Sequence, residues 1–149
     1  MGSVNDYSIM KGAEKVLKSL QIGFDTKIVS AHRTPYRMFS FAKNAHTKYE
    51  VIIAGAGGSA HLAGMVSSLT FIPVIGVPIE TKSLKGLDSL LSVIQMPKGV
   101  VTATVAINNS ENAGLLAAGI LSLSDKKIRK NLIRFRSKQT KSVKKRPKK

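Results

Sequence analysis

"VIIAGAGGSAHLAGM", residues 51–65, joins an unbroken apolar run to a glycine-rich turn and then to a row of small residues. A short apolar run without polar alternation is what a strand covered on both faces requires. Gly55, Gly57, Gly58 and Gly64 allow tight turning and close helix–sheet packing, and equally allow backbone N–H groups to approach an anion at a helix start. The helix is expected from about Ser59 to Leu69. The turn has no Gly-Lys-Ser/Thr of a nucleotide-triphosphate loop and lacks the usual dinucleotide spacing, so both uses of its glycines stay open.

Strand, turn and helix recur on either side. Upstream, "FDTKIVS" (24–30) predicts a strand, followed by Thr34 as an N-cap and Pro35 in the first turn of a helix carrying Met38, Phe39, Ala42 and Ala45. Ahead of it, Ile9, Met10, Ala13, Val16, Leu17 and Leu20 recur at helical spacing, with Ser8 as N-cap and Gly23 just past the end. Downstream, "PVIGVP" (73–78) predicts a buried strand, "LDSLLSVIQM" (87–96) a helix stopped by Pro97, and "VVTATVAI" (100–107) another strand. "SENAGLLAAGILSL" (110–123) follows as a helix small enough to pack closely on a sheet. A last helix from Asp125 carries Ile128, Leu132, Phe135 and Val143 on one stripe.

Such an order predicts an α/β domain with a doubly wound parallel sheet and right-handed crossovers, in which ligands bind beyond the carboxyl ends of the strands. Ser3, Asp6, His32, Arg33, Gly57, Gly58 and His61 all fall at those ends. A doubly wound domain opens on a strand, whereas Met1 already stands in the first turn. A strand ahead of Met1 is therefore expected, and the sheet lacks its first strand.

The net charge of +16 over 149 residues is unevenly placed. Residues 126–149 hold 13 of the 24 Lys and Arg and no acid, which leaves the preceding body nearly neutral. The expected organisation is a folded domain over 1–124, a basic helix over 125–142 and a disordered basic tail over 143–149. No aromatic residue beyond Phe135 is interleaved with the basic ones, so the charge predicts salt-sensitive, non-specific contact and no specific nucleic-acid recognition. With no cysteine, disulfides, thiolate metal sites and a cysteine nucleophile are excluded. No signal segment or membrane-length apolar run is present, and a cytoplasmic location without membrane association is expected.

Of the three histidines, His46 beside Asn44 and Lys48 reads as a surface residue, and no His–His spacing supports a metal site. His61, at the start of a small apolar helix, reads on position alone as a structural histidine. His32 differs, because it lies on a rim loop beside Arg33, a natural partner for phosphate or carboxylate. A neighbouring cation favours a neutral imidazole, able to take up and return a proton.

Together "MGSVND", "SAHRTP", "VIIAGAGGSAHLAGM", "PVIGVP", "GLDSLLSVIQMP" and "NAGLLAAGIL" closely resemble the PurE family, the phosphoribosyl-carboxyaminoimidazole mutases of purine biosynthesis. The resemblance spans roughly residues 1–123. It implies a flavodoxin-like three-layer α/β/α fold and a homo-octamer with active sites at subunit junctions. It also implies a small-molecule ribonucleotide substrate whose carboxyl group moves from an exocyclic nitrogen to ring carbon C4, with no ATP, metal or cofactor. An ATP-dependent carboxyaminoimidazole ribonucleotide synthase is the implied functional partner, sometimes fused to the same chain.

On matching positions, the resemblance makes His32 the catalytic histidine and Ser3, Asp6 and Arg33 the ribonucleotide contacts. Asn5, Ser30, Gly55, Ala56, Gly57, Gly58, Ser59, His61 and Leu62 are implied as a secondary pocket. The Arg-Thr-Pro continuation is similar to the bacterial and fungal mutases and unlike the animal-type carboxylases that use free CO2. Asn5 stands where the family pattern has a second serine, Ser59 for a usual alanine and Ala63 for a usual proline. The alternatives to a mutase are a direct carboxylase or a catalytically impaired remnant that binds a ribonucleotide.

Overall fold

The computed structural model describes residues 1–146. After a 3-10 turn at Val4–Asp6, the elements are α1 (Tyr7–Ser19), α2 (Pro35–Asn44), β1 (Ile52–Gly57), α3 (Leu62–Ser67) and β2 (Val74–Ile79). They continue as α4 (Leu87–Ile94), β3 (Ala103–Thr104), α5 (Ser110–Leu121) and α6 (Lys126–Ser142). The three strands form one parallel sheet in the order β1-β2-β3, with Ile52 opposite Val74 and Ile75 opposite Ala103. The α/β architecture with a parallel sheet is as the sequence predicts.

Alternation along the strands sends successive side chains to opposite layers. Ile52, Ala54 and Val74 pack with Met38 and Ala42 of α2, Leu62, Ala63 and Val66 of α3, and Val93 of α4. Ile75, Val77 and Ile79 face the other way, against Met10 and Leu17 of α1 and Ala113 and Ala117 of α5. Every residue of β2 is buried, which explains its unbroken apolar sequence.

Several boundaries move. "FDTKIVS" carries no strand ladder among the described residues. Its backbone-to-backbone bonds before the turn at Ser30 run to Met1, with Met1 N donating to Lys27 O at 2.9 Å and Val29 N donating to Met1 O at 2.8 Å. The strand expected over 100–107 shrinks to two residues, because it has β2 on one side only. Helix α1 begins before Ser8, on a 3-10 turn whose Ser3 hydroxyl accepts from Asn5 N. It ends well before Gly23, with the left-handed position taken by Gln21 at φ 60°. Ile22 N to Leu17 O and Gln21 N to Lys18 O close a Schellman motif there.

The last helix is capped by the Asp125 carboxylate, which accepts from Lys127 N and Ile128 N at 2.7 and 3.0 Å. Ile128, Leu132 and Phe135 pack against Val16, Leu20 and Ala118. Val143 is 75% exposed and stands outside that stripe, since the helix has ended at Ser142. Of the tail expected to be disordered, residues 147–149 lie outside the described residues. Among the described residues no helix is long and apolar enough to cross a membrane.

Candidate active site

Ser30 organises the rim at the end of the 24–30 segment. Its backbone N–H donates to Thr34 Oγ1 at 2.9 Å, and the same hydroxyl donates back to Ser30 O at 3.0 Å. Thr34 is thereby committed to closing the turn and does not cap α2 with its side chain. Pro35, the first helical residue, lacks one of the N–H groups that a helix start leaves without a partner. Ser30 Oγ accepts from Arg33 N at 3.3 Å and from Arg33 Nε at 3.4 Å.

From this hub Arg33 reaches across to the N-terminal turn, where its Nη2 donates to Gly2 O at 3.3 Å. Gly2 N in turn donates to Gly55 O at 3.1 Å. Three chain segments distant in sequence are thus tied into one rim. The guanidinium is exposed and keeps further N–H groups free for an anion.

Asp6 is buried beside this tie, at 9% exposure. Burial pushes its carboxyl above the usual carboxylate range, while the backbone of Ser3 and Gly2, the Met1 ammonium and Arg33 pull the other way. A carboxylate held at such a cost is suited to accept from hydroxyls of a bound polyol. Asn5 is exposed, and its backbone N–H serves the Ser3 hydroxyl at 3.2 Å.

His32 Nε2 lies 2.9 Å from His61 Nδ1, with the rings edge to face at 88° and centroids 5.0 Å apart. Only one of the two facing nitrogens carries the proton when both rings are neutral, so the contact is a donor–acceptor pair whose direction follows the tautomers. Both rings are exposed at the rim. The sequence reading ranked His61 below His32 and left the pair unnoticed. A signal existed: Ser-Ala-His stands at 30–32 and again at 59–61. In each copy the alanine is buried in the same core cluster, Ala31 at 7% and Ala60 at 0%, so the following histidine is delivered to the rim from a fixed anchor.

The glycine loop divides between structure and site. Strand β1 continues through Ala56 to Gly57, two residues beyond the expected turn at Gly55. A Cβ at Gly55 would collide with Met10, which makes that glycine a packing residue under α1. Gly57 has little room beside Ile79 O and Thr81, and Gly58 turns the chain with φ 65°. Ser59 is exposed beyond it, whereas Leu62 is buried with Ala63 and Val66 and so packs the core. His46 lies elsewhere, against Phe71 with ring centroids 5.0 Å apart. Among the described residues no three His, Cys, Asp or Glu side chains gather in a metal-holding group.

Comparison with known proteins identifies the family. The N5-carboxyaminoimidazole ribonucleotide mutase of Thermotoga maritima is 54% identical over 144 residues, covering 96% of this chain and 84% of that protein. The chloroplastic phosphoribosylaminoimidazole carboxylase of Vigna aconitifolia is 49% identical over 96% of this chain, which corresponds to 26% of the plant protein. The crystal structure of Treponema denticola PurE superposes with a TM-score of 0.85 at 30% identity, covering 95% of this chain and 89% of that one. The family profile of AIR carboxylase matches residues 1–142, and the chain belongs to the AIR carboxylase family.

Proposed function

We propose that the chain is an N5-carboxyaminoimidazole ribonucleotide mutase, moving the carboxyl group of its substrate from the exocyclic nitrogen to C4 in purine biosynthesis. The observation that carries the assignment is the 2.9 Å His32–His61 pair, set on the same rim as Arg33 and Asp6, in a chain about half identical to curated mutases. In this reading Arg33 and Ser3 hold the phosphate and Asp6 accepts from the ribose hydroxyls. The 55–59 loop lies against the base, and Asn5 supplies an amide donor near the phosphate.

The chemistry balances without an added reagent. The carbamate C–N bond breaks, CO2 departs and His32 gives a proton to the nitrogen. The electron-rich C4 then attacks the confined CO2, forming the C–C bond, and His32 takes back a proton from C4. Holding CO2 beside C4 replaces a dilute encounter with a local one, and exclusion of water keeps it there. His61, bonded to His32, orients the ring and offers a second seat for the travelling proton.

The site is open in the single chain, and a pocket that confines CO2 needs a further wall. Tyr36, in the first turn of α2 beside the rim, is 90% exposed, apolar surface that supports closure by another copy in a homo-octamer. The carbamate is unstable in water, so an ATP-dependent synthase supplies it, and both act in the cytoplasm. Residues 1–124 carry the reaction, with the basic helix over 125–142 docked beside them. Purified protein and His32→Asn test the assignment: isomerisation of the carbamate ribonucleotide is expected from the former and a loss of about 10²–10⁴-fold in the latter. Equal turnover of the two removes His32 from its role.

A further inference from the structure

The glycine loop that delivers His61 to the rim is braced on one side by Thr81. Strand β1 ends at Gly57, which stands opposite Ile79 on the last rung of the β1–β2 ladder. A Cβ at Gly57 would lie 3.1 Å from Thr81 Cγ2 and 3.2 Å from Ile79 O, and a Cβ at Gly58 would lie 3.9 Å from the same methyl. The Thr81 methyl therefore closes off the open side of both glycines. Gly58, at φ 65°, then turns the chain toward Ser59, Ala60 and His61.

Thr81 is itself fastened to the start of α4. Its hydroxyl donates to Asp88 Oδ2 at 3.2 Å, and Asp88 Oδ1 accepts from Ser89 N at 2.9 Å. Ser89 is fully buried, and its hydroxyl donates to Ile79 O at 2.6 Å. Two hydroxyl bonds thus tie the end of β2 to one helical turn. The chain between them is folded back by Lys85 and Gly86, at φ 50° and 87°. Thr81 and Asp88 are both half-buried, and a hydroxyl bonded to a carboxylate is a stronger tie than one between neutral groups. Oγ1 and Cγ2 of a threonine share one Cβ, so the bond that fixes the first also fixes the second. Asp88 in this way aims the methyl at Gly57.

We propose that Thr81, held by Asp88, is a positioning residue for the glycine loop: it fixes Gly57 and Gly58 so that His61 meets His32 and so that the loop retains CO2 beside the base. CO2 retention rests on the mutase reading, whereas the meeting of the two rings rests on the observed 2.9 Å contact. A loop that yields lets CO2 out before C4 attacks it. In that event the C–N bond has broken, the nitrogen keeps the proton given by His32, CO2 passes to solvent, and water reprotonates His32 in place of C4. The ribonucleotide then leaves without its carboxyl group. Misplacing reacting groups by about 1 Å can cost about 10²-fold in rate, so a brace remote from the chemistry can govern it.

Thr81→Val keeps the shape and removes the bond to Asp88, whereas Thr81→Ser keeps the bond. Ring ¹⁵N shifts of the histidines are read in the free proteins at about pH 8, where unperturbed imidazoles are neutral. Transfer to C4 and enzyme-dependent CO2 release are read with the carbamate ribonucleotide. The valine variant is expected to move the His32 and His61 shifts toward those of unpaired rings and to leave His46 unmoved. Its kcat should fall about 10-fold or more with KM little changed, and CO2 release should rise about 10-fold relative to transfer. The serine variant should stay within about twofold of wild type in each measurement. A valine variant that melts lower but keeps wild-type ring shifts and partition makes Thr81 a structural residue only and overturns the proposal. A serine variant that behaves like the valine one overturns it as well, since the bond to Asp88 would then not be what positions the loop. Should wild type fail to isomerise the carbamate, the mutase reading falls, while the ring shifts still decide whether Thr81 positions His61.

Discussion

The two Ser-Ala-His tripeptides share a sequence and differ in what surrounds them. At 30–32 the serine is the hub of a closed turn, bonded to Thr34 and Arg33, and the histidine is followed by a cation that reaches Gly2. At 59–61 the serine is exposed, Ser59 O accepts from His61 N at 2.8 Å, and the chain passes directly into α3. One copy is built into the rim by side-chain bonds, the other by its buried alanine and the glycines before it. Identical residues therefore take unequal places: the first copy offers a histidine beside an anchored guanidinium, and the second offers that histidine its partner.

After His32 itself, the comparison is broken most severely at the second histidine. His61→Asn removes the ring bonded to His32 while leaving Arg33 and Asp6 in place, and kcat is expected to fall about 10–100-fold with KM changed little. A rise in KM with kcat kept places His61 in substrate binding and ends its orienting role. Steady-state kinetics on the two proteins separates these outcomes.

Next in size is Asp6, which lies within the charge field of Arg33 in the first copy. Asp6→Asn is expected to raise KM about 10-fold, since an amide replaces a charged acceptor for the ribose hydroxyls. Stability moves the opposite way. A carboxyl whose pKa is raised by burial favours the fold while neutral, and that contribution is lost as pH rises through the folded-state pKa. The amide carries no charge at any pH, so the variant should melt higher than wild type at pH 7. The gain should vanish below about pH 4, where the wild-type carboxyl is protonated in both states. Thermal melts across pH check the sign.

The smallest effects sharpen the comparison at the serines. Ser30→Ala removes the acceptor for Arg33 N and Nε and should lower stability by about 1 kcal/mol, with a modest rise in KM as the guanidinium loosens. Ser59→Ala, at an exposed position, should stay within about 0.5 kcal/mol of wild type. Denaturant titration of the pair reads the difference directly, and equal losses contradict the unequal places.

The parallel α/β architecture was legible because its central elements are self-declaring. "PVIGVP" is apolar throughout, and a strand buried on both faces tolerates nothing else. The segment "FDTKIVS" has the same local preference yet forms no ladder beyond Met1, because strand state belongs to a pair and not to a sequence. For the same reason the strand expected at 100–107 survives only where β2 reaches it, at Ala103 and Thr104. Thr34 was legible as an N-cap by position, but its hydroxyl bonds Ser30 instead of capping the helix, since it had two backbone targets within reach.

At the rim, the positions of His32, Arg33 and Asp6 followed from the rule that loops at strand ends collect ligand contacts. The pairing of His32 with His61 did not, because it depends on how far β1 and its glycines carry the second tripeptide forward. Leu62 shows the converse. Its neighbour reaches the rim while it turns inward, a consequence of helix phase that the resemblance alone does not reveal.

The central claim is that the carboxyl group moves within this rim from nitrogen to C4. It is tested most directly by giving the purified chain a carbamate ribonucleotide bearing a ¹³C carboxyl, in buffer with unlabelled bicarbonate, and analysing the C4 carboxylate of the product by mass. Transfer inside a closed site predicts product that retains the label. Product carrying unlabelled carboxylate from solution, or binding of the ribonucleotide without conversion, contradicts the account.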